Sequence, residues 1–236
     1  MKIKTLFGAL ILMFAASANA DPIDQFESCV NADGAIVSVG DAGCASDDAT
    51  TATVDDSNLL LGGDGLGRVV VGIADAGAHY VAMFVDWEIE EFVNGFSNET
   101  GAVSGAAAAG QSWEIDEPGF FAPFGDIFDN FVDGTLDNSI GDPDPNDVSM
   151  AIGWDFELAD GVDAVVTFLL SLECAPSDMT LCLSHTDPDS EFTYFFSSTL
   201  EFRDEPVQGV PEPGTLFLLG AGLLGLGLRR RIAQKH

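Results

Sequence analysis

The chain has 236 residues, of which 39 are Asp or Glu and 8 are Lys or Arg, a formal net charge of −31. A surface this acidic repels phosphate backbones and anionic headgroups, which argues against nucleic acid and anionic membrane surfaces as partners. Divalent cations, cationic or neutral partners and plain solubility in salt remain.

The N-terminal residues have the pattern of an export signal. Lys2 and Lys4 are positive, residues 6–16 are apolar, and Ala18-Asn19-Ala20 supplies an A-x-A cleavage site. Residues 1–20 are therefore expected to be a signal peptide cut after Ala20, with Ala18 and Ala20 as the small residues read at the cut. Residues 21–209 form one acidic domain with enough chain for a full core. Six of the eight basic residues fall in the two terminal segments, so only Arg68 and Arg203 belong to this domain. Against 38 acidic groups they leave a net of about 36 negative charges.

All four cysteines, Cys29, Cys44, Cys174 and Cys182, lie in the exported part, where an even number reads as disulfides. Nearest-neighbour pairing, Cys29 with Cys44 and Cys174 with Cys182, is preferred among three connectivities. The spacings are not those of a zinc site.

In chain order, residues 21–67 read as loops and short strands, with one candidate strand at residues 35–39. The single GGDGLG at residues 62–67 reads as a turn rather than a calcium-binding repeat. Residues 69–73 form a β-branched strand. From residue 80 to 93 the odd positions Val81, Met83, Val85, Trp87 and Ile89 are apolar, while Asp86, Glu88 and Glu90 share the other face. That pattern predicts a half-buried strand with one acidic side. Residues 101–110 read as a small-residue linker, and residues 111–117 as a strand with Trp113 and Ile115 inward. Phe124, Ile127, Phe128, Phe131 and Val132 recur at helical spacing.

Val148 to Leu158 and Val162 to Leu172 are apolar at every even position, with Asp160-Gly161 between them, which predicts a hairpin. Residues 192–202 repeat the alternation. Period two over long segments means antiparallel sheet with one face in a core. The expected fold is all-β: an antiparallel two-sheet β-sandwich ectodomain, flanked by the signal peptide and a short C-terminal hydrophobic helix.

Residues 210–236 have three parts: Pro211-Glu212-Pro213, an apolar run over residues 216–228, and the cluster Arg229, Arg230 and Arg231 with Lys235 behind it. The apolar run is shorter than the ~20 residues that comfortably span a bilayer as a helix. The arginines act as a cytoplasmic stop, and the prolines keep the preceding backbone extended. This tail resembles the PEP-CTERM sorting signal, which an exosortase-type membrane protease recognises and cleaves. The resemblance implies transient inner-membrane retention, cleavage, and delivery to the cell surface or exopolysaccharide matrix. A plain membrane anchor is the alternative. Residues 113–202 also look similar to the ectodomains of many PEP-CTERM proteins, thought of as exported β-sandwiches mostly without assigned activity.

For chemistry, Asp142, Asp144 and Asn146 in one Pro-bracketed loop, with Asp187 and Asp189 in another, are the candidate calcium ligands. Alternate oxygens on stiff loops suit a hard cation, although neither loop is an EF-hand and Asx-Pro turns are ordinary loop chemistry. His79 at a strand start and His185 in a loop lack a second nearby His or an H-E-x-x-H pattern. No G-x-S-x-G elbow occurs, and GAGLLG in the tail matches a dinucleotide fingerprint only formally. Asp155 and Glu157 read as solvated. The three tryptophans read as core, and Phe120, Phe121 and Phe195 as the aromatics available to stack on sugar. The resulting expectation is a non-enzymatic, structural or adhesive surface protein whose partners are the protease and exopolysaccharide or other surface proteins. A calcium-dependent carbohydrate-binding module and a secreted polysaccharide hydrolase are the alternatives.

Overall fold

The computed structural model describes residues 23–40, 43–44, 47–59, 66–89, 98–119, 125–141, 145–174 and 180–204. The signal peptide, the sorting tail, Asp142, Asp144, Phe120, Phe121, Phe124, Glu90 and residues 62–65 lie outside them. Twelve strands and one short helix are described. The strands are β1 (Ile23–Ala32), β2 (Ala35–Ser38), β3 (Thr53–Leu59), β4 (Gly67–Ile73), β5 (Gly77–Ile89), β6 (Thr100–Gly105), β7 (Gln111–Asp116), β8 (Ser139–Ile140), β9 (Ser149–Leu158), β10 (Val162–Ser171), β11 (Leu181–Asp187) and β12 (Phe192–Asp204). The helix is α1 (Ile127–Asp133), between β7 and β8. No helix among the described residues is long and apolar enough to cross a membrane.

The strands form two six-stranded sheets. The first runs β2-β1-β5-β9-β7-β8 and the second β3-β4-β10-β12-β11-β6. Pairing is antiparallel except between β7 and β8, so the predicted two-sheet sandwich is the observed architecture. Its core is the apolar side of the alternating strands. Val81, Met83, Val85, Trp87 and Ile89 of β5 and Met150, Ile152 and Trp154 of β9 meet Val166, Phe168 and Leu170 of β10 and Tyr194 and Phe196 of β12.

A second, smaller core lies on the outer face of the first sheet. There Ile127 and Phe131 of α1 cover Phe84, Ala82 and Ala151, beside the Cys29–Cys44 disulfide. Asn31 Nδ2 donates to the carbonyls of Phe131 and Val132 at 2.8 and 3.0 Å, and so holds the end of the helix on the sheet. Gly134 closes α1 in the left-handed conformation (φ 71°), where a side chain would be strained.

Several expectations change. β9 and β10 are not a hairpin: β9 pairs with β5 and β7, whereas β10 pairs with β4 and β12. The Asp160-Gly161 turn, with Gly161 at φ 76°, carries the chain from one sheet to the other. Alternation specifies which side chains face the core, and both a hairpin and an inter-sheet arch satisfy it. Half of the expected small-residue linker is β6, which pairs with β11. Residues 23–59 contain the ten-residue β1 and the seven-residue β3 rather than loops with short strands. A bulge at Gln25/Glu27 turns Phe26 outward, 60% exposed. His185 sits within β11 and is fully buried, not in a loop.

Both predicted cysteine pairs are disulfides, each with Cα atoms 5.9 Å apart. β10 and β11 flank β12 and run the same way. Cys182 alternates with the core-facing Leu181 and Leu183. The Cys174–Cys182 bond therefore lies on the sheet's outer face and ties the residues after β10 to β11.

Candidate functional site

The described residues that combine titratable chemistry with burial gather at one end of the sandwich. β5 brings Asp86 and Glu88 there, on the face opposite Trp87. They are 2% and 6% exposed, so the acidic side expected to make β5 half-buried is itself inside the protein. Register places Asp86 between Glu27 of β1 and Ser149 of β9. The Ser149 hydroxyl donates to Asp86 Oδ1 at 2.7 Å. Asp147, just before β9, approaches from the same side, and oxygens of Asp86, Glu88 and Asp147 lie within 4.8 Å of one another. These acidic groups could hold a metal ion.

Burial and mutual repulsion raise the proton affinity of this cluster. Desolvation pushes Asp86 up to about 7 against the Ser149 hydrogen bond, and Asp147, Glu27 and Glu99 add to the rise. Asp147 is pushed up to about 6, again mainly by desolvation. Carboxyl oxygens of Asp147 and Glu88 lie within 4.8 Å of each other, so two charges here repel. Burial raises Glu27 as well.

Beside the cluster, Glu99 ties the sheets together. Its carboxylate accepts the backbone N–H groups of Ile89 and Val148, each at 3.3 Å, and lies 2.6 Å from His185 Nε2. His185 Nδ1 meets the Tyr194 hydroxyl at 3.0 Å, and that hydroxyl lies 3.5 Å from the Trp87 carbonyl. A chain of polar contacts thus runs from β5 and β9 in one sheet to β11 and β12 in the other. Every member is buried, where partly satisfied polar groups are costly and satisfied ones rigidify the fold.

A second acidic group lies under α1. Glu114, 1% exposed, accepts from Asn130 Nδ2 at 3.1 and 3.2 Å and from the Asp137 backbone at 3.3 Å. Desolvation pushes it up to about 7, against the Asn130 hydrogen bond. Asp116 accepts the Asp126 backbone N–H at 3.1 Å. These bonds dock the helix and the residues following it onto β7.

Of the calcium candidates read from sequence, Asn146, Asp187 and Asp189 are among the described residues, and each is engaged by protein partners. Asp187, 1% exposed, accepts the backbone N–H groups of Asp189 and Ser190 at 3.1 and 2.9 Å, shaping the β11–β12 turn. Asp189 accepts from Asn98 at 2.7 Å. The Asn146 carbonyl accepts the Glu99 N–H at 3.1 Å. His79 bridges Asp33 at 2.8 Å and the Asp75 carbonyl at 2.6 Å. Burial works to lower its proton affinity, but those two partners outweigh it and raise it. Trp87 and Trp154 are buried and Trp113 is partly buried against the core, as expected, while Asp155 and Glu157 are exposed.

Sequence reasoning did not single out Glu99 or Glu114, and it put Asp86 and Glu88 on an acidic side. The available signal was position: Asp86 and Glu88 continue a strand whose same-face predecessors are Ala82 and Phe84.

Neither a curated protein nor a solved structure matches the chain. Residues 209–231 match the family model of the PEP-CTERM protein-sorting motif, which takes in Pro211, Glu212, Pro213 and Arg229, Arg230 and Arg231. Such motifs are recognised by exosortase and support export and sorting through the C-terminus to the cell surface. The chain carries a PEP-CTERM protein-sorting motif in its C-terminal region.

Proposed function

We propose that this is an exported, non-catalytic protein of the cell surface or exopolysaccharide matrix, with a structural or adhesive role. The tail holds it briefly in the inner membrane, and cleavage near Pro211 and Pro213 releases it. The observation that carries this reading is the sorting motif at residues 209–231. Its cargo is a sandwich with two filled apolar cores and two disulfides, a construction suited to persistence in an oxidising exterior. Changing Pro211 and Pro213 together to Ala should leave full-length protein in the inner-membrane fraction. Release at unchanged mass and yield would sink the sorting part of this reading.

A second reading, calcium-dependent carbohydrate binding, is favoured by one observation, the three carboxyl groups Asp86, Glu88 and Asp147 within 4.8 Å. Oxygen ligands fit a hard cation, and calcium would supply the positive charge this buried group lacks. Its test is binding of the exported protein to the producing cell's exopolysaccharide, with calcium and with chelator. Saturable binding abolished by chelator would favour this reading. No binding in either condition would leave another surface protein as partner, and progressive shortening of the polymer would point to a hydrolase.

A further inference from the structure

The C-terminal half of β12 is a strand edge among the described residues. β10 pairs with β12 along residues 195–204, but β11 pairs only with residues 192–197. From Thr199 onward no strand among the described residues covers the other side. Its alternate N–H and C=O groups there are the kind of template to which another strand adds. A groove of about 430 Å³ runs beside it, lined by Ala108, Ala109, Trp154, Thr180 and residues 198–202 of β12. Phe202 stands at its rim, 54% exposed, edge-on to Phe156.

The side chains on this edge select the occupant. Only Arg68 and Arg203 are basic in residues 21–209, and Arg68 lies on β4 between β3 and β10. Arg203 is on the open edge, 59% exposed, 2.8 Å from its own Glu201, which is 61% exposed. Glu201 and Arg203 share the outer face of the strand, one on each side of Phe202. An antiparallel strand that pairs its own Phe202 with this Phe202 presents Arg203 opposite Glu201 and Glu201 opposite Arg203. Side chains directly opposite in such a pair are about 5 Å apart at Cβ. The edge is thus self-complementary in charge, in ring contact and in backbone hydrogen bonding, as a two-fold interface requires. Elsewhere on so acidic a surface, two copies meet mainly like charge.

We propose that two copies of this chain associate through residues 200–204 of β12, antiparallel about Phe202, joining their second sheets into one. The exposed ion pairs add little energy; they fix the register, while the strand bonds and Phe202 supply the affinity. Long-range repulsion between copies is screened within about 8 Å at physiological salt, which leaves contact pairs in place.

The test is sedimentation of the exported protein at physiological salt, from low micromolar to near-millimolar concentration. The wild type should form a dimer. Glu201→Arg and Arg203→Glu each turn two attractive pairs into like-charge pairs and should weaken the dimer roughly tenfold. Mixing these two variants restores opposite charges and should recover a heterodimer, and the double swap within one chain should recover the homodimer. Both positions are exposed, so unchanged circular dichroism serves as the folding control. A wild type that stays monomeric throughout would overturn the proposal, including the case where a glycan or another protein fills the groove instead. Single variants that dimerise like wild type, or a mixture that associates no better than its components, would overturn it too.

Discussion

On the inner face of β5, Val81, Met83, Val85, Trp87 and Ile89 are buried against apolar neighbours from both sheets. On the outer face of the same strand, Ala82 and Phe84 lie beneath α1, but Asp86 and Glu88 are buried among Glu27, Asp147 and Ser149. One strand thus shows two ways of leaving water. Apolar burial gains roughly 25 cal/mol per Å² in almost any aqueous condition. Carboxyl burial holds only while protons or a cation offset the charge. One face of β5 sets the stability, and the other makes it conditional on the surroundings, which for an exported protein are variable.

The largest expected effect comes from breaking the unconditional face. Trp87 is fully buried, donates its Nε1 hydrogen to Ser28 Oγ at 2.6 Å, and has its ring 5.8 Å from that of Tyr194. Trp87→Ala leaves a cavity and strands the Ser28 hydroxyl, for a loss of about 3–5 kcal/mol. Urea unfolding should show that loss to be similar at pH 5 and pH 8. A loss that differed between the two by more than about 1 kcal/mol would mean that the two faces are energetically coupled.

The same contrast explains what could be read from the chain. Even-position apolar residues from Met150 to Leu170 announce a sandwich core, because period two leaves few alternatives. They cannot say that β9 and β10 belong to different sheets, since an arch and a hairpin both turn those residues inward. His185 interrupts an otherwise short pattern, Leu181 and Leu183, in a segment bordered by Thr, Asp and Ser, so β11 has little local signal. Its place is set by pairing with β6 and β12 and by Glu99, which is 86 residues away. The acidic cluster was invisible for a related reason. In a chain with 39 acidic residues, Asp86 and Glu88 look like solvent-facing neighbours, and only long-range register places Glu27 and Asp147 beside them. The sorting tail was legible because its motif is contiguous in sequence.

The conditional face yields the smaller and more telling stability effect. Asp86 holds its proton up to about 7 in the folded protein and Asp147 up to about 6, whereas an unfolded Asp releases it near 3.9. Between about pH 4 and pH 7 the folded state therefore binds more protons than the unfolded state, and stability falls as pH rises. Above about 7 both states are deprotonated and the slope levels off. Glu114, also pushed up to about 7, contributes with the same sign, so replacing Asp86 removes only part of the slope. With metal removed by chelator, Asp86→Asn should change little near pH 4. At pH 8 it should stabilise by roughly 2 kcal/mol, because an amide can accept the Ser149 hydrogen bond without a buried charge. Unfolding curves at the two pH values measure this directly. Destabilisation by Asp86→Asn at pH 8, appearing only when calcium is present, would mean that a cation rather than a proton neutralises the cluster. Destabilisation by the same amount at both pH values, with or without calcium, would mean that Asp86 matters for its packing and not for its charge.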